Sequence, residues 1–277
     1  MKQLDRKVIF LTGGTDGIGF ECAKAYNKEG AKLVIIAPAD NKFEAAREEL
    51  KGDHLFIPAD VSVNTEVKTA FEKALACFGG IDAIHNNAGI AHPSKTLDET
   101  TEEEWNRLMD INLRSIYHTT KYGIAALKKS RGCILNTSSL VGEIGQNLHA
   151  AYTATKGGVN ALTKSMALDY AKFMVRVNAV SPAGVWTNML HKWKEEQPSP
   201  ALITEYLDAI HPLGYCPNGD VVADACVFLL SDRARFITGC ILPVSGGAEL
   251  GYRKVMNAQE INGAGKNNGL KLEKSDS

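Results

Sequence analysis

No stretch of this 277-residue chain approaches the roughly 20 consecutive apolar residues that crossing a bilayer requires. The one apolar run near the start, at 8–11, is too short for the apolar core of a signal peptide. Neither sign of charge dominates, since 31 Lys and Arg stand against 32 Asp and Glu. That balance removes the electrostatic case for nucleic acid or for an anionic membrane surface. Paired cysteine spacings are missing: Cys22, Cys77, Cys133, Cys216, Cys226 and Cys240 include no Cys-x-x-Cys. Neither a zinc site nor a disulfide framework is suggested, and no metal is expected. Internal repeats and interdomain linkers are absent too. The expectation is a soluble, cytoplasmic protein that meets a small molecule.

What is present is alternation. Short β-branched runs at 7–11, 32–36, 54–57, 81–86, 132–136, 175–179 and 240–244 read as strands. Several are apolar on both faces, as buried parallel strands are. Helical patterns lie between them, at 18–29, 41–50, 63–78, 101–129, 150–173 and 220–230. Strand–helix alternation of this length predicts an α/β fold: one doubly wound, Rossmann-type domain, with a mostly parallel seven-stranded sheet and helices on both faces. The domain is expected to span 1–252. Two segments break the pattern. Residues 187–213 form a long connection rich in Trp, His, Lys and Pro, expected as a substrate lid. Residues 253–277, rich in Asn, Gly and Lys, are expected as a flexible tail.

The first strand runs straight into Thr12-Gly13-Gly14-Thr15-Asp16-Gly17-Ile18-Gly19 and then a helix. Gly13 permits a sharp turn, Gly17 lets the backbone approach a pyrophosphate, and Gly19 lets helix and strand pack closely. The anion would rest on the free N–H groups of the helix start. A tight turn with no ligand uses the same residues, but the order strand, glycines, helix is the one a dinucleotide site needs. An acidic residue at the end of the second strand ordinarily takes the ribose hydroxyls of NAD, yet that end reads Ile36-Ala37-Pro38-Ala39-Asp40. Asp16 stands where a 2′-phosphate would want a cation, and no Arg is available, although Lys42 is near. NAD is favoured over NADP.

Tyr152 and Lys156 stand four residues apart at the start of a helix, hence on one face. A secondary alcohol cannot lose hydride unless its hydroxyl proton is removed, and a phenol with pKa near 10 is a poor base at neutral pH. An adjacent ammonium and an oxidised nicotinamide both favour the phenolate; a pKa near 7 needs roughly 4 kcal/mol from them. Alone, the spacing is common among exposed helical residues. Its neighbourhood gives it weight: Asn136-Thr137-Ser138-Ser139 ends the fifth strand and Asn86-Asn87-Ala88-Gly89 ends the fourth. Ligands of such sheets bind at those strand ends.

Together these motifs resemble the short-chain dehydrogenase/reductase family, from residue 7 to about 252. The matching residues are Thr12-Gly13, Gly17-Ile18-Gly19, Asp60-Val61, Asn86 through Gly89, Asn112, Ser139, Tyr152 and Lys156. The resemblance implies that Tyr152 is the acid/base and that Ser139 hydrogen-bonds the substrate oxygen. It implies that Lys156 binds the nicotinamide ribose and lowers the Tyr152 pKa, and that Asn112 holds a water in a proton relay. Asp60 and Val61 would meet adenine, Asn87, Ala88 and Gly89 the adenosine side, and Gly13, Thr15, Asp16, Gly17, Ile18 and Gly19 the phosphates. Pro182, Val185 and Thr187 would meet the nicotinamide. The family usually has Pro-Gly after the sixth strand, whereas here the chain reads Pro182-Ala183-Gly184. If Ala183 stands for that glycine, Thr187 keeps its register, and the local backbone conformation becomes the open point. A homotetramer through the helices at 101–129 and 150–173 is likewise implied.

Stretches around 138–146 and 246–252 resemble the type 14 17β-hydroxysteroid dehydrogenase group, which includes L-fucose dehydrogenases. By that resemblance His92, Gln146, Trp193 and Tyr252 would line the substrate pocket. His149 and His191 read as surface residues. Polar His92 and Gln146 suit a hydroxylated ligand such as a sugar, whereas an apolar lid with Met189 and Leu190 suits a steroid or another flat alcohol. The alternatives are a hydroxysteroid or 3-oxoacyl reductase and, from another class, a nucleotide-sensing protein without chemistry. That last reading sits poorly with intact Ser139, Tyr152 and Lys156.

Overall fold

Neighbouring residues of the first strand, β1 (Val8–Thr12), belong to two different cores. Ile9 and Leu11 point into one and Val8 and Phe10 into the other, so the strand is buried on both faces, as the period of a pleated chain dictates. The computed structural model describes residues 2–251; Tyr252 and the expected tail lie outside the described residues.

Beyond β1 the order is α1 (Gly17–Lys28), β2 (Lys32–Ala37), α2 (Asn41–Glu49), β3 (Leu55–Pro58), α3 (Asn64–Phe78) and β4 (Ala83–Asn86). There follow α4 (Glu102–Met109), α5 (Ser115–Ser130), β5 (Cys133–Thr137), α6 (Ala150–Ala171) and β6 (Arg176–Pro182). The chain continues with α7 (Asn188–Glu195), α8 (Pro200–Ile210), α9 (Asp220–Leu230) and β7 (Ile241–Val244). The strands form one seven-stranded sheet in the order β3-β2-β1-β4-β5-β6-β7, with parallel pairing throughout. The chain winds outward from β1 to β3, then returns to β4 on the other side of β1. The crevice between the carboxyl ends of β1 and β4 is therefore the place where such a sheet takes a ligand.

On one face, Cys22, Ala23 and Tyr26 of α1 pack with Val222, Ala223 and Cys226 of α9. On the other, Val67 and Phe71 of α3, Ile116 and Leu127 of α5, and Val159 and Met166 of α6 close the second core. Phe71 stacks on Phe10 with ring centroids 3.9 Å apart.

Two segments differ from expectation. The single helix anticipated over 101–129 is three pieces: α4, a π-helical turn at Asp110–Arg114, and α5. Thr101 starts α4 with a full capping box to Glu104. The π turn shifts the hydrogen-bond register without any proline or glycine to announce it. The segment anticipated as an irregular lid over 187–213 contains two helices. Thr187 caps α7 by accepting from Leu190 N at 3.2 Å, and Pro200 opens α8 in its first turn, where no N–H is missed.

Candidate active site

Gly13 and Gly17 hold φ of +64° and +52°, so the turn after β1 uses left-handed backbone that side chains resist. A Cβ on Gly19 would lie 2.0 Å from the Gly13 carbonyl oxygen and 2.4 Å from Asn87 Nδ2. The turn is clamped to the loop after β4. Thr12 Oγ1 accepts from the backbone N–H of Asn87 at 2.9 Å and of Ala88 at 3.0 Å. Asn87 Nδ2 donates back to the carbonyls of Thr12 and Gly13. Asp16 caps α1, accepting from Gly17 N at 2.8 Å. It is also ion-paired with Lys42 and accepts from Asn188 Nδ2 of α7 at 2.6 Å. Asp40, the other acidic candidate for the ribose, caps α2 through Phe43 N at 3.0 Å. Asp60 accepts from both the backbone N–H and the hydroxyl of Ser62.

A cavity of about 880 Å³ runs from this turn along the strand ends. Its wall includes Gly13, Thr15, Asp16, Gly17, Ile18, Gly19, Asp60, Val61, Asn87, Ala88 and Gly89 together with Ser139, Tyr152, Lys156, Pro182, Val185 and Thr187. Thr187 lies over Gly17 and Gly89 lies beside the Lys156 ammonium, so the two groups interleave. Ala183 keeps an ordinary negative φ, so the replacement of the family's glycine leaves no backbone strain.

Tyr152 sits in the first turn of α6 and Lys156 one turn later, its ammonium 5.6 Å from the Tyr152 ring centroid. Lys156 is 4 % exposed and donates to the Thr137 carbonyl at 2.8 Å. Burial lowers its pKa from 10.5 to about 8. Burial also raises the Tyr152 phenol above 10, with the Ser139 hydroxyl, in hydrogen-bonding reach, pulling the other way. The sequence argument anticipates a lowered Tyr152. In the protein's own field desolvation of the phenolate wins instead, which leaves the lowering to charges a ligand brings.

Ser138 and Ser139 divide cleanly. Both lie on the cavity wall, but Ser138 is buried and spends its hydroxyl proton on Asn160 Oδ1 at 2.5 Å, whereas Ser139 is half-buried. Asn112, in the π turn, lies behind that wall. Its amide donates to the Ile90 carbonyl at 2.8 Å and its oxygen accepts from Ile90 N at 2.8 Å. The same amide reaches Thr155 Oγ1 at 3.1 Å.

His92, Gln146 and Trp193 all border the cavity. His92 Nδ1 faces Glu196 Oε2 of the segment after α7 at 3.7 Å, across the mouth. His191 is exposed and stacks on Trp186, as a surface residue would. His149 is not a surface residue. It is 6 % exposed, lines the cavity, and packs edge-on against Tyr152 with centroids 6.4 Å apart. Its Nε2 meets Ser94 Oγ at 3.1 Å and its Nδ1 the Asn147 carbonyl at 2.9 Å. Sequence reasoning missed it because its burial depends on a loop far away in the chain, the one that carries Ser94.

The residues present suit a dinucleotide. The Lys156 ammonium spends one donor on Thr137 and has no carboxylate partner among the described residues, which leaves donors for ribose hydroxyls. No helix among the described residues is long and apolar enough to cross a membrane.

Residues 13–249 match the family described as enoyl-(acyl carrier protein) reductase. The L-fucose dehydrogenase of Bos taurus is 40% identical over 246 residues, 89% of this chain and 90% of that protein. The meso-2,3-butanediol dehydrogenase of Serratia marcescens is 34% identical over 247 residues, 89% of this chain and 96% of that protein. Among solved structures, a 3-ketoacyl-(acyl-carrier-protein) reductase from Brucella melitensis complexed with NADH superposes with a TM-score of 0.82 at 32% identity, covering 89% of this chain and 99% of that one. A likeness that runs through the sheet and both helix layers, and not through the glycine turn alone, places the chain in the short-chain dehydrogenase/reductase family of nicotinamide-dependent oxidoreductases.

Proposed function

We propose that this enzyme oxidises a secondary hydroxyl of a sugar or small polyol with NAD, reversibly, and that Tyr152 is its acid/base. One observation carries the proposal: Tyr152, Lys156 and Ser139 line the same cavity as the glycine turn. Lys156 and Thr187 would hold the nicotinamide end of the cofactor, which when bound would supply a hydride acceptor and a positive charge beside the phenol. Ser139 Oγ donates to the substrate oxygen and orients it toward Tyr152. Tyr152 Oη takes the hydroxyl proton, and in the reverse direction returns it. The Ser139 hydroxyl opposes the burial that otherwise holds the phenol protonated, and Lys156, an ammonium below its pKa of about 8, adds its charge to the one the nicotinamide would bring. Asn112, committed to Ile90 and Thr155, holds the loop after β4 against Lys156, and through it supports the proton relay.

The polar wall supports a hydroxylated substrate: His92, Gln146, Ser94 and His149 offer donors and acceptors beside Tyr152, with Trp193 as a flat apolar surface. The similarity to L-fucose and butanediol dehydrogenases points the same way. NAD is preferred because Asp16 already engages Lys42, the nearest cation a 2′-phosphate could use. The exposed apolar cleft of Met109, Leu113, Tyr117, Ala161 and Leu162 supports self-association along α4, α5 and α6, and a homotetramer in the cytoplasm is the form proposed from the family resemblance.

The deciding experiment is an NAD⁺ reduction screen over aldoses, polyols and hydroxysteroids, with Tyr152→Phe as control. Preferred turnover of an aldose or polyol, abolished in the variant, is the expected result. Preferred turnover of a hydroxysteroid would transfer the assignment to the apolar side of the pocket, Met189 and Leu190.

A further inference from the structure

Three side chains with no part in that chemistry converge in the core below the glycine turn. Cys22 comes from α1, His85 from β4 and Cys226 from α9, and none has any solvent exposure. One sulfur or nitrogen atom from each lies within 4.8 Å of the others. Around a tetrahedral cation with metal–sulfur bonds of about 2.3 Å and metal–nitrogen bonds of about 2.0 Å, ligand atoms sit roughly 3.5–3.8 Å apart. The cluster thus needs to contract by about an ångström to close on an ion.

The surrounding hydrogen bonds fix the state of His85. Asn87 donates from Nδ2 to two backbone carbonyls, so its Oδ1 is an acceptor, and Thr137 Oγ1 spends its one proton on that oxygen at 3.3 Å. Thr137 must then accept from His85 Nε2–H, which lies 3.0 Å away. The lone pair is left on Nδ1, 2.9 Å from the hydroxyl of Tyr26, which stands one turn after Cys22 on α1. That lone pair now accepts from Tyr26, and an entering cation would take the place of the Tyr26 proton. An imidazole whose other nitrogen is held by an outer hydroxyl, packed within 4.8 Å of two cysteine sulfurs, is the arrangement of a histidine metal ligand.

We propose that Cys22, Cys226 and His85 Nδ1 bind one thiophilic d¹⁰ cation, Zn²⁺ or Cu⁺, as a buried staple between α1, α9 and β4. Thiolate and imidazole together select such ions. Zn²⁺ takes the Tyr26 hydroxyl as fourth donor, whereas Cu⁺ is satisfied by the two sulfurs and the imidazole. Two thiol protons leave to solvent as either ion enters. The outer contacts of His85 lead through Thr137 and Asn87 to the carbonyls of Thr12 and Gly13, so the staple also braces the cofactor turn.

The test uses the full chain with exposed Cys77 replaced (Cys77→Ser), kept reduced and stripped with chelators. Zn²⁺ alone or Cu⁺ alone is supplied to the folded protein and during refolding, and Co²⁺ serves as a coloured stand-in for zinc. Native mass spectrometry should count one ion per chain, and Co²⁺ should show thiolate charge-transfer absorption. Cys22→Ser and Cys226→Ser should each abolish that absorption and weaken binding at least 100-fold. Thr137→Val should weaken it about 10–100-fold through the lost outer hydrogen bond. Tyr26→Phe should weaken Zn²⁺ and spare Cu⁺. A parent protein that takes up neither ion, or serine variants that retain full uptake, would overturn the proposal. Should the serine variants not fold, thermal unfolding of the parent decides: its midpoint must climb with metal concentration, and an unmoved midpoint is fatal.

Discussion

Lys156 donates from Nζ to the carbonyl oxygen of Thr137 at 2.8 Å, so the last residue of β5 carries the cation that stands beside Tyr152. The strand end, and not the helix spacing alone, decides where that charge sits. Burial lowers the Lys156 pKa from 10.5 in the unfolded chain to about 8. Between those values the unfolded chain holds a proton that the folded protein has released. Folded stability therefore rises with pH through this window, is fully present above 10.5, and is lost as pH falls through about 8. The total is on the order of 3 kcal/mol. Lys156→Met should remove this slope. Comparing urea unfolding of parent and variant from about pH 8 to 10 checks it, and parallel curves would contradict the burial of a titrating lysine. Tyr152, whose pKa burial raises, acts with the opposite sign only above about 10.

Tyr152→Phe removes one oxygen from a half-buried ring and leaves the packing against His149 in place. Turnover should fall by about 10²–10⁴ or more, the range general acid–base catalysis supplies. NADH affinity, read by nicotinamide fluorescence, should be unchanged, because the glycine turn and Lys156 are untouched. Full activity would remove the phenol from the mechanism.

The central strands were legible because they are buried on both faces, while the edge strands β3 and β7 are partly exposed. The ends fall within two residues of the sequence reading except at β6, which runs on to Pro182 where 179 was expected. Gly13, Gly17 and Gly19 were legible for a similar reason: local backbone demands leave a local mark. What was hidden depends on partners distant in the chain. The π turn at Asp110–Arg114 keeps a helical apolar pattern and changes only its hydrogen-bond register. Helices α7 and α8 carry an amphipathic pattern, but the Trp, His, Lys and Pro content of 187–213 and the lack of a strand between them favoured reading one long connection. Whether Asp40 could reach a ribose was open in the sequence, and its carboxylate caps α2. Cys22, His85 and Cys226 lie on three separate elements, beyond the reach of any spacing rule.

The Asp16 carboxylate holds Lys42 and Asn188 at the cofactor end of the cavity. Asp16→Asn keeps an oxygen to cap α1 and releases the ammonium of Lys42 toward a 2′-phosphate. NADPH affinity should rise about 10-fold relative to NADH, equivalent to roughly 1.4 kcal/mol. Adding Lys42→Ala to that variant should cancel the gain. Titrations with both reduced cofactors measure the ratio, and an unchanged ratio would show that selection lies elsewhere along the cavity.

His149 offers the last test, because it separates substrate recognition from chemistry. Its ring is held by Ser94 and the Asn147 carbonyl, and it presents an edge to Tyr152 on the substrate side of the cavity. A hydroxylated substrate that donates to Ser94 Oγ, whose own proton is held by His149 Nε2, loses that orientation in His149→Phe, worth about 1 kcal/mol, and meets a larger ring. KM should rise about 5–10-fold with kcat little changed, since Tyr152, Ser139 and Lys156 keep their places. Ser94→Ala should raise KM less, because it frees the imidazole without removing it. If His149 instead positions the phenol, kcat will fall and its pH profile will move while KM holds. Steady-state kinetics across pH on both variants distinguishes the two outcomes, and only the first agrees with a pocket that reads hydroxyl groups.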